Sequence, residues 1–400
     1  MRLYVVAGAY AAWLFATELL FYLAYGGEKT TLEISVALGL IPAAAQILLL
    51  GFNPYGLAAP VKGILVFLLI VLLSYLGHAG WISVIFFIEL LFIFGMGILV
   101  ASSPDPNLLR TTAALFSLPS AAFLIFVALT GEQEWGRLAA HGIEPNWWGF
   151  MGMGLAASAF ALRSRLLTVL CFGAGFYITY AASSRGSMIS IVLGSLVVAF
   201  ASARKLQRRH AAPALLAALG ALVIWILFSH TITAGVSNAI VDALRINDPY
   251  RGVDSGFSGR EEIWADVIDI WQRSPLVGVG FHQHQLLTKS TLPAHQSYLG
   301  MLADTGIFGL LWYVGFLAAS LVAGFRIVET QTRNLVLFIV SSYTTLGLFE
   351  AHVINGANPT SLLFIFSCIV ALSQASLRRA ANDLPPQMHA ASTVFSRALL

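Results

Sequence analysis

The sequence predicts an all-α, polytopic membrane protein, and three features lead to this fold class. Hydrophobic residues make up 58% of the 400 residues, whereas charged residues make up only 10%. The mean hydropathy of +0.81 is far above that of soluble proteins. The long apolar stretches are also continuous, with no alternation of polar and apolar residues. Because unpaired backbone groups are costly in lipid, such stretches must cross the bilayer as helices and not as strands of a barrel.

These stretches define about twelve predicted spans in a single transmembrane domain, residues 1–400. Each span needs about 20 residues to cross the hydrocarbon layer, and apolar stretches of that length begin near residues 3, 32, 63, 81, 111, 147, 166, 187, 212, 306, 334 and 360. The first stretch is too long for the core of a signal peptide, so we expect it to remain as a span. Residues 380–400 contain two adjacent prolines followed by small and polar residues, which predicts a poorly ordered cytoplasmic tail.

Basic side chains orient the predicted bundle. If the spans alternate in direction, most short connections that carry arginine or lysine fall on one side together with both termini, and that side should be cytoplasmic. The long connection 230–294 then lies on the outer side. It holds five basic and seven acidic side chains. This balance excludes a general basic surface for nucleic acid, so any bound anion must be held by particular arginines.

The outer connection contains a predicted amphipathic helix, residues 259–272. Ser258 followed three residues later by Glu261 is typical of a capping box, and apolar residues then recur at helical spacing. Arg260 falls on the same face as Trp264, so its side chain should point toward the protein or the membrane interface. An inward arginine at a helix N-terminus indicates an anionic ligand. The structural alternatives are an ion pair with a neighbouring carboxylate and a side chain that snorkels to the interface.

Arg185 is a second candidate, because it lies in a turn of serine and glycine between two spans on the predicted outer side. This position runs against the positive-inside pattern. Gly186 beside it would let a ligand approach the backbone closely. The alternatives are an interfacial anchor and a partner for a buried acid such as Glu350.

His295 is a third candidate and begins the next predicted helix, with Gln296 and Tyr298 beside it. The 32 residues from His295 to Arg326 would form a helix of ~48 Å, too long for one upright span, so we expect a break near Gly306. The histidine would then lie at the outer interface, where an imidazole can serve in proton transfer. A histidine that caps the helix or is satisfied in the core is the alternative.

For other polar residues the sequence gives less specific evidence of a function. Glu350 and His352, near the outer end of a late span, could line an acceptor cavity or could satisfy Arg185. His282 and His284 lack the further ligands that zinc requires, and no metal site is predicted. Four remaining assignments are structural: Asp266 and Asp269 as a solvated helix face, and Trp147 and Trp148 as interface anchors.

Five short motifs occur in an order that resembles the bacterial O-antigen ligase and polymerase superfamily. They are Ser-Arg-Gly at 184–186, Gly-Arg-x-x-x-Trp at 259–264, Ser-Pro-Leu-x-Gly-x-Gly-Phe at 274–281, Ala-His-Gln-x-Tyr-Leu at 294–299 and Thr-Gly-Ile-x-Gly-Leu-Leu at 305–311. Each motif is weak alone, but the order, spacing and topology together are specific. The resemblance implies a GT-C-like glycosyltransferase of the bacterial inner membrane that needs neither metal nor cofactor. Its active site would face the periplasm.

The resemblance also implies substrates and roles. The donor would be a glycan on undecaprenyl diphosphate, and the acceptor would be lipid A-core or a growing glycan, both reached within membrane lipid. Arg185 and Arg260 would bind the diphosphate. His295 would accept the acceptor's proton, giving inversion, or would donate to a phosphate oxygen.

We favour a ligase because a single long outer loop is predicted and because the second long loop of many polymerases, with its Arg-x10-Gly pattern, is absent. A Wzy-type polymerase is the alternative. A lipid-linked glycan flippase or another transporter is a further one, although we find no duplicated halves in the sequence.

Overall fold

The computed structural model describes residues 1–25, 27–77, 81–134, 137–140, 143–203, 256–351 and 354–382. Within these residues the fold is helical apart from one antiparallel hairpin, β1 (Glu132–Glu134) and β2 (Arg137–Ala139). The helices are α1 (Arg2–Leu23), α2 (Glu28–Leu49), α3 (Ala58–Ser74), α4 (Trp81–Ala101), α5 (Leu108–Thr130), α6 (Pro145–Ala159), α7 (Arg165–Ala181), α8 (Arg185–Ala203), α9 (Gly256–Arg273), α10 (His284–Leu287), α11 (Ser297–Gly324), α12 (Thr330–Leu346) and α13 (Pro359–Asn382). A short 3₁₀ turn, Tyr75–Gly77, follows α3.

The fold class is confirmed, since seven of the described helices are long and apolar enough to cross a membrane: α1, α2, α4, α5, α8, α11 and α13. Helices α3 and α7 are apolar but shorter. Every predicted span start except the one near residue 212 falls on a described helix, and that one lies outside the described residues. The count of twelve spans therefore stays a prediction. So does the outer placement of 230–294, of which only the part from residue 256 is described.

Helix α6 lies inside the bundle and packs closely on α7. Gly152 and Gly175 make this approach possible, because a Cβ atom built on Gly152 would lie 2.6 Å from the Gly175 carbonyl oxygen. Trp148 is fully buried and Trp147 is 6% exposed. Trp147 also packs on Phe21, with ring centroids 4.5 Å apart. The prediction that these tryptophans anchor the membrane interface is therefore wrong, and both belong to the protein core.

The predicted break in α11 is present at Gly306, whose backbone is non-helical with φ 65° and ψ −167°. A helix break leaves amides and carbonyls without partners, and these groups are costly wherever water is excluded. The preceding segment supplies the partners. The amides of Val279 and Gly280 donate to the carbonyls of Ala303 and Asp304 at 3.0 and 2.9 Å, and the Ile307 amide donates to the Pro275 carbonyl at 3.0 Å.

Two glycines permit this backbone contact. A Cβ atom on Gly306 would lie 2.2 Å from the Leu276 carbonyl carbon, and one on Gly278 would lie 2.3 Å from that of Asp304. Both glycines have positive φ angles, which residues with a side chain rarely adopt. The motifs at 274–281 and 305–311 are thus two halves of one structural joint, and the joint places α10 against the first turns of α11.

Helix α9 is amphipathic and lies against this joint. Its buried residues Ile263, Val267 and Ile270 form a small apolar cluster with Val279 and Ala303. The helix begins at Gly256, so Ser258 lies within its first turn and not at the predicted N-cap position. On the outer face Asp266 pairs with the exposed Lys289 at 2.9 Å, and this hydrogen bond lowers the pKa of Asp266. Asp269 is exposed.

The two ends of the bundle carry different polar contacts and different connecting elements. One end carries an ion pair between Arg110 and Glu329 at 3.5 Å and a hydrogen bond from Arg378 to the Arg326 carbonyl. The hairpin, the α7–α8 turn, α9 and the start of α11 lie at the other end. Every site residue described below belongs to this second end.

Candidate functional site at the α9, α11 and α12 junction

The centre of the site is Glu350, which follows α12 and is only 5% exposed. Its backbone carbonyl accepts a hydrogen bond from the Ser297 hydroxyl at the start of α11. The Ser297 amide donates to the Gly347 carbonyl at 2.8 Å. These two bonds fix the start of α11 against the end of α12. The Glu350 carboxylate is then held in a buried position where partners from several helices reach it.

Arg260 approaches Glu350 from α9. Its Nη1 donates to the Phe349 carbonyl at 2.8 Å, and its Nη2 lies 3.5 Å from Glu350 Oε1. The side chain is 24% exposed, so it points inward as predicted and yet keeps access to solvent. The ion pair that the sequence offered as a structural alternative is therefore present. Because Arg260 remains accessible, this pair leaves part of the guanidinium available to an anion.

His295 reaches the other carboxylate oxygen. Its Nδ1 lies 3.7 Å from Glu350 Oε2, and its side chain is 22% exposed. This nitrogen is buried and makes no hydrogen bond to the described residues. The prediction that His295 begins the helix is wrong. Helix α11 begins at Ser297, and His295 precedes it in a left-handed conformation with φ 48°.

Arg185 is the first residue of α8, at the same end of the bundle, and its side chain is partly buried. The next residue, Gly186, packs on Phe349, where an added Cβ atom would lie 2.8 Å from the Phe349 Cβ. Phe349 is also the residue whose carbonyl binds Arg260. The fold therefore brings the start of α8 to the peptide that holds Arg260, although the two arginines are far apart in the sequence.

Two further residues join the site and were not predicted. Asn146 on α6 donates from Nδ2 to Glu350 Oε1 at 2.9 Å. Arg137 on β2 donates from Nη2 to Asn146 Oδ1 at 2.8 Å and from Nε to the Ala182 carbonyl at 3.0 Å. Like Arg185, Arg137 lies in a short connection on the predicted outer side, where the positive-inside pattern disfavours basic residues. This unusual position is a sequence signal for a functional role. Asn146 is neutral and carries no such signal.

The remaining predicted residues have other contacts. Tyr298 donates its hydroxyl to the Thr344 carbonyl at 2.7 Å and so joins α11 to α12. Gln296 caps α11, because its side chain accepts from the Leu299 amide at 3.2 Å. His352 lies outside the described residues. A role for these three residues in acceptor binding stays a prediction.

The His-x-His pair is divided between two environments. His282 stacks on Phe86 with ring centroids 4.5 Å apart, whereas the buried His284 pairs with Asp304 at 2.8 Å. Among the described residues no group of three or more His, Cys, Asp or Glu side chains is placed to hold a metal ion. Cys171 and Cys368 are free and buried.

Fold and site together define a class of protein: a multi-pass helical membrane protein with arginines, a histidine and a carboxylate gathered at one end of its bundle. Residues 166–314 match the model of the O-antigen ligase family, and this match confirms the family resemblance. The matched part of the chain is therefore similar to membrane enzymes of the O-antigen ligase family. The matched segment includes Arg185, Arg260 and His295, whereas Glu350 lies beyond it. A comparison with curated proteins gave no significant match.

Proposed function

We propose that this protein transfers a glycan from undecaprenyl diphosphate to an acceptor hydroxyl on the periplasmic side of the bacterial inner membrane. The acceptor would be lipid A-core, which makes the protein an O-antigen ligase of lipopolysaccharide synthesis. The transfer would be a single inverting displacement without a metal ion. The observation that carries this proposal is the convergence of Arg260 and His295 on the buried carboxylate of Glu350.

The charges of the site suit a diphosphate. Arg260 contacts Glu350 directly, Arg137 reaches it through Asn146, and Arg185 begins the helix packed on Phe349. Arg260 is 24% exposed beside Glu350, so its guanidinium can also contact an added anion, and Arg137 and Arg185 lie at the same end of the bundle. Guanidinium groups bind phosphate oxygens with paired hydrogen bonds of defined geometry. Negative charge grows on the diphosphate as it leaves the sugar, and fixed arginines stabilise that charge.

The proton of the acceptor needs a base. In the proposed step the acceptor oxygen attacks the anomeric carbon, and the bond from that carbon to the phosphate oxygen breaks. The diphosphate leaves with the bonding electrons, and His295 takes the acceptor proton. Glu350 is placed 3.7 Å from His295 Nδ1, where its negative charge favours the imidazolium that forms. In the alternative mechanism His295 is protonated and donates a hydrogen bond to a phosphate oxygen. The same geometry serves both mechanisms.

The proposed orientation in the membrane is based on the charged contacts at the two ends of the bundle. The end with the Arg110–Glu329 pair and the Arg326–Arg378 contact would face the cytoplasm together with both termini. The site at the opposite end would then face the periplasm. A lipid-linked donor could approach it laterally from the bilayer.

The test is glycosyl transfer by the purified protein in nanodiscs, using undecaprenyl-diphosphate-linked glycan with and without lipid A-core, in the presence of a chelator. We expect transfer only when lipid A-core is supplied, and loss of transfer in Arg260→Ala. Longer lipid-linked chains formed from the donor alone would overturn the ligase assignment in favour of a polymerase. Movement of the donor across the bilayer without bond formation would overturn the enzyme assignment and favour a flippase. Loss of transfer on chelation would overturn the metal-independent mechanism.

A further inference from the structure

Ala294, the residue before His295, is fully buried, and both its amide and its carbonyl are hydrogen-bonded to side chains. Ala294 has 0% exposure. Its amide donates to His284 Nε2 at 3.2 Å, and its carbonyl accepts from the Trp264 indole at 2.9 Å. Two consecutive peptide planes, those on either side of the Ala294 Cα, are thereby fixed by side chains from α9 and α10.

His284 is itself fixed by Asp304. Asp304 Oδ1 lies 2.8 Å from His284 Nδ1 and accepts from the His284 amide at 3.0 Å. Because Nε2 accepts the Ala294 amide, this nitrogen is unprotonated and the proton lies on Nδ1, facing Asp304. Gly300 admits the ring, since an added Cβ atom there would lie 3.3 Å from His284 Cε1.

This arrangement excludes proton transfer as the role of His284. A proton could reach Nε2 only if the bond to the Ala294 amide were broken, and a buried amide without a partner is costly. Both ring nitrogens are therefore engaged in holding backbone or carboxylate groups. His284 and Asp304 together therefore have the geometry to orient the backbone at Ala294.

Trp264 connects the same peptide to Arg260. The two residues are four apart on α9, so they lie one above the other on one face of the helix. Arg260 binds the Phe349 carbonyl beside Glu350, while Trp264 binds the carbonyl of the peptide that enters His295. The φ angle of His295 is measured relative to this peptide plane between Ala294 and His295, and its value is +48°. Left-handed backbone at a residue other than glycine persists only where the surroundings impose it.

We infer that His284, Asp304 and Trp264 are positioning residues that hold His295 in its left-handed conformation and set its distance from Glu350 and Arg260. This inference rests on the proposed function, because it assigns His295 a catalytic role. Asp304 orients His284, His284 and Trp264 fix the Ala294 peptide, and that peptide directs the His295 side chain toward Glu350.

A matched pair of variants tests the inference. The glutamine in His284→Gln extends far enough for its carbonyl to accept the Ala294 amide, whereas the asparagine in His284→Asn reaches only toward Asp304. We expect His284→Asn to lower kcat by about 10- to 100-fold with little change in KM for the donor, and His284→Gln to stay within about threefold of wild type. Asp304→Asn keeps an oxygen acceptor for both bonds from His284, so it should also retain most activity. Asp266→Asn, on the outer face of α9, is the control.

Hydrogen–deuterium exchange of the peptide containing Ala294 and His295 supplies a readout that does not depend on activity. We expect faster exchange in His284→Asn and in Trp264→Phe, and wild-type exchange in His284→Gln. Equal kcat values for the asparagine and glutamine variants would overturn the inference. So would wild-type activity in His284→Asn despite faster exchange. If the wild-type protein transfers no glycan while these exchange differences persist, the proposed function is wrong. The conclusion that His284 and Trp264 fix the backbone at Ala294 is then retained.

Discussion

Asn146 donates a hydrogen bond of 2.9 Å to Glu350, although 204 positions separate the two residues in the sequence. Asn146 lies in the first turn of α6, just after Pro145. Glu350 follows α12 and contacts Arg260 as well. The bond therefore joins the bundle interior to the residues that the sequence predicts to be functional, and Glu350 is their common contact.

Glu350→Gln should reduce transfer by about 100-fold while leaving the fold intact. The amide oxygen of glutamine can still accept the Asn146 bond, but the negative charge beside His295 Nδ1 is lost. The measurement is the initial rate of transfer at saturating donor, with the elution profile and thermal stability as checks of folding. Glu329→Gln, whose carboxylate pairs with Arg110 at the other end of the bundle, is the matched control. Equal rates for the two variants would show that the Glu350 charge has no part in transfer.

Arg260→Lys should lower kcat/KM for the lipid-linked donor by about 10- to 100-fold. Lysine keeps the positive charge but cannot bind a phosphate through two parallel hydrogen bonds, and its shorter reach weakens the bond to the Phe349 carbonyl. The comparison is with Arg110→Lys, because Arg110 also lies 3.5 Å from a carboxylate. We expect Arg110→Lys to transfer at the wild-type rate. A similar loss in both variants would attribute the effect to a weakened ion pair and not to donor binding.

Arg137→Ala should reduce transfer by about tenfold through its effect on Asn146. Arg137 fixes Oδ1 of that amide, and this bond leaves Nδ2 directed at Glu350. The decisive measurement is a double-mutant cycle with Asn146→Ala. Because both substitutions disturb one hydrogen-bond chain, the double variant should lose little more activity than Asn146→Ala alone. Fully additive losses would show that Arg137 acts independently of Asn146.

The residues of the candidate site that the sequence predicts are those with local signals. Arg260 shares a helix face with Trp264, and a helix from His295 to Arg326 would be too long for one span, which led to the break at Gly306. Glu350 was found only as a polar residue near a span end, because its partners come from α6, α9 and the start of α11. Asn146 was missed since an uncharged amide is common in short connections. The left-handed backbone of His295 could not be predicted, because it depends on contacts made by Ala294.

The errors have equally local causes. The rule that tryptophan lies at the membrane interface misplaced Trp147 and Trp148, because the rule does not distinguish a span facing lipid from one inside the bundle. The capping pattern at Ser258 misplaced the start of α9 by a few residues, which is the usual uncertainty of helix ends. Neither error altered the predicted face of Arg260.

Gly306→Ala should destabilise the protein by at least about 2 kcal/mol, because the new Cβ atom would collide with backbone at a positive φ angle. At Gly306 that atom would lie 2.2 Å from the Leu276 carbonyl carbon. Backbone cannot move aside as a flexible side chain can, so the joint between 275–280 and α11 should open. Gly315→Ala is the matched control, since Gly315 lies in the same helix and an added Cβ atom there meets nothing within 4 Å. Thermal stability in detergent should fall in the first variant and stay unchanged or rise in the second. A Gly306→Ala protein with wild-type stability would show that the break in α11 does not need the backbone contact we describe.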